Sequence, residues 1–237
     1  MKNWPSCCAI QDFPACCERS SWPSQGSQVK VMVIMALASI TLSTLFTFFI
    51  IYTVIPGPRL FLWHPTLMAL GYGFFMYQAL LIFSLLPHLK KAKSVTFHWS
   101  LQVVALTCIV MGASVAFYNK ASAGKAHFVS CHAKLGLVTN VLSLGAAVGG
   151  LGAKYVPGLA FKTGHALLGC ALYGSAMLTI LLGLSTDYFL ALAGKTYGWV
   201  LWKVAYLVPP VMFASAVVQV LDSYRRSYKK RWNKSRL

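Results

Sequence analysis

Acidic residues are almost absent from this chain, which has four Asp and Glu residues against 21 Lys and Arg among its 237 residues. Charged residues of both signs make up only 11% of the sequence, whereas soluble domains carry about a quarter. This shortage excludes an ordinary water-soluble domain and indicates lipid as the surrounding solvent. The net charge of +17 lies in short clusters between apolar runs, so no continuous basic face is available and nucleic acid binding is not predicted.

Cysteine is present but lacks the pattern of a disulfide framework. Four of the seven cysteines lie in a polar N-terminal segment, and the other three, which we interpret as small buried apolar side chains, lie in or beside apolar runs. The N-terminal cysteines form two adjacent pairs, which are poorly spaced for zinc and offer a weak alternative as acylation sites: Cys7, Cys8, Cys16 and Cys17. The first 30 residues lack a signal-peptide pattern and are predicted to form a disordered cytosolic tail.

Six apolar stretches have the length of about 20 residues that is needed to cross a bilayer. They cover residues 31–54, 65–86, 99–117, 128–153, 163–184 and 198–221. Gly/Pro or charged segments separate them, with no room for a soluble domain between them. The sequence therefore predicts an all-α integral membrane protein, with one six-helix domain over residues 31–224 and a basic cytosolic C-terminal tail over residues 225–237.

The basic residues are distributed unequally between the two sides of the predicted helices. The two termini together with the second and fourth loops carry 15 Lys and Arg residues, whereas the first, third and fifth loops carry 4. Cytosolic segments of membrane proteins are enriched in Lys and Arg, so both termini are predicted to be cytosolic. The basic C-terminal tail is expected to contact anionic lipid headgroups.

Four histidines lie near the N-terminal ends of the second to fifth predicted helices, where ionisable groups are costly and usually functional: His64, His98, His132 and His165. Helices two and four begin on the non-cytosolic side, so His64 and His132 share a level. Helices three and five begin on the cytosolic side, so His98 and His165 share the opposite level. Two facing histidines at each level are what bis-histidine ligation of haem requires. The four-helix core of helices two to five is thus predicted to hold two haems.

Neighbouring residues favour a flat cofactor in this core. Gly136 and Gly169 lie one turn beyond the histidines of helices four and five, where a missing side chain lets a porphyrin approach the helix. Gln102 lies one turn beyond the histidine of helix three and offers a hydrogen bond to the pocket. The chain has no CxxCH sequence, which argues against a covalently attached c-type haem.

Two other functions stay open at this point. A haem-bearing membrane anchor could pass quinol electrons to a partner protein. A haem-free transporter could instead use the histidines as proton relays. Such relays usually include acidic residues, and the predicted spans contain none, since Asp187 and Asp222 lie at their edges.

Several short segments resemble the cytochrome b561 family, especially its short branch of stand-alone transmembrane reductases. They are Leu62-Trp63-His64-Pro65, His98-Trp99-Ser100-Leu101-Gln102, Gly124-Lys125-Ala126-His127 followed by Cys131-His132, and Gly164-His165. The resemblance covers residues 31–224 and implies two b haems per chain. It also implies a ferrireductase or monodehydroascorbate reductase that takes electrons from cytosolic ascorbate to a ferric chelate or monodehydroascorbate. A homodimer in an endomembrane, the endoplasmic reticulum or a vesicle, is the associated expectation.

Basic residues near the predicted haem levels are candidates for binding these substrates. Ascorbate is an anion at neutral pH, so lysines close to the cytosolic histidines would attract it: Lys90, Lys91, Lys93 and Lys162. On the opposite side, His127 and Lys125 precede the histidine of helix four and are candidates for binding the acceptor. The alternative for the lysines is that they only reflect the general enrichment of basic residues on the cytosolic side. For His127 the alternative is a histidine that faces the lipid headgroups.

Overall fold

The computed structural model describes residues 25–55, 57–86, 89–156, 158–196 and 203–234, and these residues are almost entirely helical, with no strand among them. The helices are α1 (Gln25–Val54), α2 (Leu60–Leu85), α3 (Lys91–Ser122), α4 (Cys131–Tyr155), α5 (Leu159–Leu184), α6 (Asp187–Thr196) and α7 (Val208–Lys234). Six stretches are long and apolar enough to cross a membrane, with the last running from Lys203 to Arg226. The prediction of an all-α membrane protein with six spanning helices is confirmed.

Several helices extend beyond the predicted apolar spans. α1 begins at Gln25, so residues 25–30 are helical and the predicted disordered tail is wrong for that segment. α3 begins at Lys91 instead of residue 99, and α7 continues to Lys234 through the basic C-terminal segment. Polar residues end the apolar run but not the backbone hydrogen bonding, so a helix can continue past its apolar span.

α4 begins later than predicted, at Cys131 instead of residue 128. The Ser130 side chain accepts a hydrogen bond from the Ala133 amide at 3.2 Å, which caps the first turn. The tail cysteine pairs, residues 1–24 as a whole, and the first residues of the sixth predicted span lie outside the described part of the chain.

α2 is irregular along its length. A 3-10 turn covers Leu60–Leu62, and a π-helical segment of eight residues covers Ala69–Met76 in the middle of the membrane span. Gly71 lies in this segment, and a Cβ there would approach an Ile109 side-chain carbon to 2.7 Å, so only glycine permits this closeness to α3. A π-helical turn accommodates one extra residue, which changes the rotational register of the helix on either side of it.

The short helix α6 follows the fifth span and was not predicted. With 10 residues it is too short to cross a bilayer. Its Phe189 and Ala193 side chains are buried, and it packs against α1 and α5. This packing places the helix beside the N-terminal end of α2.

Helices α2 to α5 form the core that carries the four histidines, and α4 packs most extensively on α5. α1 and α7 flank α2 and contain no histidine. A buried polar contact joins these flanking helices, since the Ser39 and Ser215 hydroxyls are 2.6 Å apart and Gln219 donates to Ser215 at 3.0 Å. Hydrogen bonds of this kind hold helices together where lipid offers no hydrophobic driving force.

Candidate functional site

The first histidine pair joins α2 and α4. The ring centroids of His64 and His132 lie 6.2 Å apart, and the two ring planes are nearly perpendicular at 82°. Both residues occupy the second position of a regular helical stretch, after Trp63 and Cys131 respectively. The pair therefore lies at one end of the four-helix core.

The second histidine pair joins α3 and α5 at the opposite end. The His98 and His165 ring centroids are also 6.2 Å apart, with an interplanar angle of 88°. Because α3 and α5 begin before the predicted spans, these two histidines lie about two turns inside their helices instead of at the helix starts. The histidines are therefore paired at each end as the topology predicted. They differ in how far they lie from the start of their helices.

Backbone carbonyls of neighbouring helices hold three of the four imidazoles. His64 Nδ1 bonds to the Gly112 carbonyl at 2.9 Å and His98 Nδ1 bonds to the Ala79 carbonyl at 2.9 Å. His132 Nδ1 bonds to the Thr179 carbonyl at 3.0 Å. A carbonyl can only accept, so these Nδ1 atoms carry the proton and the Nε2 lone pairs are left for a metal.

His165 is the exception. The Ala146 carbonyl interacts with its imidazole, but the buried Nδ1 atom has no partner of hydrogen-bond geometry among the described residues. Each core helix carries a histidine at one level and, further along, a residue whose carbonyl faces a histidine at the other level. These two residues are 14 positions apart on three helices and 15 apart on the fourth: 98 and 112 on α3, 132 and 146 on α4, 165 and 179 on α5, and 64 and 79 on α2. Each level therefore draws on all four helices, with two histidines and two facing carbonyls.

The spacing of both pairs fits a metal between two imidazoles. A metal–nitrogen bond of about 2.0 Å and a ring radius of about 1.1 Å put the centroids of two rings on opposite sides of one metal about 6.2 Å apart. Among the described residues no group of three or more His, Cys, Asp or Glu could hold a metal ion. Two ligands alone suit a metal whose remaining ligands come from a macrocycle, and haem has this property.

The glycines near the pairs differ in what surrounds them. A Cβ on Gly183 would lie 3.0 Å from a His132 ring carbon, and one on Gly150 would lie 3.2 Å from a His165 ring carbon, so both glycines make room for the imidazoles. The predicted pocket glycine Gly169 faces open space, whereas Gly136 would make ordinary contact with Thr179. An open apolar groove of about 380 Å³ lies beside the second pair, lined by Gly149, Ala160, Phe161, Gly164, His165 and Leu168.

Aromatic residues cover the first pair. Phe61 stacks on His64 with centroids 5.7 Å apart, and Tyr188 of α6 meets the Phe61 ring edge-on at 5.1 Å. Burial raises the pKa of the Tyr188 phenol, and the positive charge of Arg59 lowers it in part. The sequence offered one signal for this cover, since Phe61 is three residues before His64, but nothing linked Tyr188 to it.

The predicted substrate residues surround the two pairs without forming a closed site. The four lysines proposed for ascorbate are exposed and lie at the N-terminal ends of α3 and α5: Lys90, Lys91, Lys93 and Lys162. At the other end, His127 stacks on Phe117 with centroids 4.1 Å apart, and Lys125 is exposed. Gln102 is half-buried one turn beyond His98.

One further cation near the second pair was not predicted. The Lys154 Nζ atom lies 5.7 Å from the ring centroid of Trp99 and 4.9 Å from that of Tyr155. Trp99 directly follows His98, so this lysine of α4 reaches the helix that carries His98. The sequence showed Lys154 only as one of the loop cations.

Comparison with known proteins agrees with the arrangement of the core. The sequence model of a protein family, described as eukaryotic cytochrome b561, matches residues 63–190, which include all four histidines. Transmembrane reductase CYB561D2 of Homo sapiens is 34% identical over 197 residues, which cover 78% of this chain and 86% of the relative. The Bos taurus protein of the same name is 33% identical over 196 residues, with the same coverage.

A more distant match names a reductant. Transmembrane ascorbate-dependent reductase CYB561 of Sus scrofa is 28% identical over 138 residues, which cover 56% of this chain and 55% of the relative. Together with the family match, these similarities identify the class of protein and its chemistry. The chain belongs to the eukaryotic cytochrome b561 family, whose cofactor is haem b, and it is a multi-pass membrane oxidoreductase that transfers electrons across the bilayer.

Proposed function

We propose that this protein takes electrons from cytosolic ascorbate and passes them, through two b haems, to a ferric chelate or monodehydroascorbate on the other side. The observation that supports this proposal best is the presence of two histidine pairs with centroids 6.2 Å apart at opposite ends of one core. His64 and His132 would ligate one haem, and His98 and His165 the other. When bound, haem supplies reversible one-electron chemistry at its iron.

The charge distribution supports the direction of transfer. The side that carries 15 Lys and Arg residues is taken as cytosolic, which puts His98 and His165 at the cytosolic level and both termini in the cytosol. Lys90, Lys91 and Lys93 then form a cationic patch at the N-terminal end of α3 that attracts the ascorbate anion. Each ascorbate gives up one electron and one proton, and the proton stays on the cytosolic side.

On the opposite side the acceptor binds next to Phe61 and Tyr188, the residues that cover the first pair. Arg59 and Lys125 supply positive charge there, and His127 is held against Phe117. These groups favour an anionic acceptor such as a ferric chelate, which leaves as the ferrous form after receiving one electron. An endomembrane location, a homodimer and contact of the basic C-terminal end with anionic lipid belong to the same proposal, as does a single six-helix domain over residues 31–224.

The test is the haem content and the ascorbate-reduced optical spectrum of the protein purified in detergent. Two b haems per chain, reduced rapidly by ascorbate, are expected. Two haems that ascorbate cannot reduce would move the donor to a quinol or a partner protein. A protein without haem would contradict the proposal altogether.

A further inference from the structure

Two tyrosines lie between the levels of the two histidine pairs. On α2, Tyr77 lies between His64 and Ala79, whose carbonyl holds His98 at the other level. On α5, Tyr173 lies between His165 and Thr179, whose carbonyl holds His132. Fourteen helical residues separate the levels by about 21 Å along a helix at 1.5 Å per residue. Along their helices, the two tyrosines therefore lie at depths between the two levels.

The two rings form a parallel stack. The Tyr77 and Tyr173 centroids are 5.5 Å apart and the ring planes are inclined by only 12°. Tyr77 has no solvent-exposed surface and Tyr173 has 1%. This is a contact between two fully buried aromatic faces on neighbouring core helices.

The two hydroxyls have different surroundings. The Tyr173 hydroxyl has no hydrogen-bond partner among the described residues. The Tyr77 hydroxyl lies close to the Ser39 and Ser215 hydroxyls, which act on it as hydrogen-bonding groups, although neither meets full hydrogen-bond geometry. Tyr72, five residues earlier, behaves differently, because its hydroxyl lies 2.9 Å from Asn140 Oδ1 and 2.9 Å from Ser143 Oγ.

We propose that the Tyr77–Tyr173 stack is the electronic bridge between the two redox sites. This inference rests on the proposed two-haem function. One electron would pass from the haem that His98 and His165 would hold, which is oxidised, to the haem that His64 and His132 would hold, which is reduced. Neither tyrosine is oxidised or loses its proton. The rings act because their π orbitals lie closer in energy to the tunnelling electron than saturated side chains do.

The test separates the rings from the hydroxyls in the full-length, haem-loaded protein. Oxidised protein is mixed anaerobically with ascorbate, and reduction of the two haems is followed as a fast first phase and a slower second phase. Tyr77→Leu and Tyr173→Leu should slow the second phase several-fold and leave the first phase unchanged. Tyr77→Phe and Tyr173→Phe should keep both rates. Tyr52→Leu, at an exposed position on α1, is the matched control and should behave as wild type.

Further readouts distinguish a bridge from a packing role. Haem stoichiometry and both midpoint potentials should stay at wild-type values in the Leu variants, and near-ultraviolet circular dichroism should report loss of the tyrosine stack. A wild-type second phase in a Leu variant with both haems bound would overturn the inference, as would a slowed second phase in the Phe variants. If the Leu variants fail to bind haem, a slowed second phase in the Phe variants still overturns the inference. Wild-type protein without two ascorbate-reducible haems would instead contradict the proposed function.

Discussion

His64, His98, His132 and His165 could be chosen from the sequence because an ionisable side chain in an apolar span needs a reason to be there. Their pairing also followed from topology, because alternate helices begin on the same side. The carbonyls that orient them could not be chosen, since a backbone carbonyl has no residue type to mark it. Phe61 and Tyr188 were missed for a related reason: they become neighbours only because α6 folds back over α2.

The ligand assignment makes a prediction at this scale. His98→Ala or His165→Ala should reduce the haem content from two to one per chain and abolish rapid reduction by ascorbate, because the haem that these two residues would hold loses one of its two imidazoles. The remaining haem should still be reduced by dithionite. The measurement is haem stoichiometry together with the optical spectrum, and wild-type reduction by ascorbate in either variant would refute the assignment. His127→Ala, which removes a histidine outside both pairs, should keep both haems.

A second prediction concerns the space around one ligand. Gly183→Ala would place a Cβ 3.0 Å from the His132 ring, so the imidazole must shift by a few tenths of an ångström. Overpacking of this kind costs about 1–3 kcal/mol, which should weaken haem binding at the first pair by about 5- to 150-fold. Gly145→Ala has nothing within 4 Å and serves as the control. Haem titration of the two variants should differ, and equal affinities would show that His132 adjusts freely.

At the scale of elements, helix identity was predictable and helix geometry was not. Long apolar runs predict spans, but the π-helical segment Ala69–Met76 has no sequence signature. Its effect is visible in the spacing, because α2 uses 15 residues between its histidine and its carbonyl where α3, α4 and α5 use 14. We interpret the segment as the device that absorbs the extra residue and keeps His64 and Ala79 both facing the core.

This interpretation predicts an unusual tolerance to deletion. Removing Leu70 from the π-helical segment should convert it to regular α-helix and leave both α2 contacts in place, so the variant should bind two haems. Removing Val104, between His98 and Gly112 on α3, should rotate one contact away from the core and cost at least one haem. Haem stoichiometry of the two purified variants is the measurement. Loss of haem in the Leu70 deletion, with retention in the Val104 deletion, would reverse the interpretation.

At the scale of the whole molecule, the two ends of the core differ in charge and in cover. The end at His98 and His165 adjoins an open groove and the more basic side of the chain. The end at His64 and His132 is covered by Phe61 and Tyr188. The sequence predicted the charge difference from simple counting. It did not predict the difference in cover, which depends on tertiary packing.

The charge difference predicts which substrate's KM rises when the basic residues at one end of the core are replaced. Replacing Lys90, Lys91 and Lys93 with Gln should raise the KM for ascorbate several-fold, since less positive charge remains to attract the anion. Replacing Arg59 and Lys125 with Gln should instead raise the KM for a ferric chelate. Both effects should shrink at high ionic strength, where screening removes the attraction. Steady-state kinetics in sided proteoliposomes measures this, and a variant that alters the KM for the wrong substrate would contradict the proposed orientation.

The sharing of all four helices by both histidine levels has a consequence for how the protein matures. If each level holds a haem as proposed, haem arriving at one level would fix two helices through their imidazoles, and those helices carry the carbonyls that face the imidazoles of the other level. The two insertion events are therefore thermodynamically linked, with each lowering the ordering cost of the other. At half-saturating haem, empty and doubly loaded molecules should outnumber singly loaded ones, so a cell short of haem would hold fewer working proteins and few half-built ones.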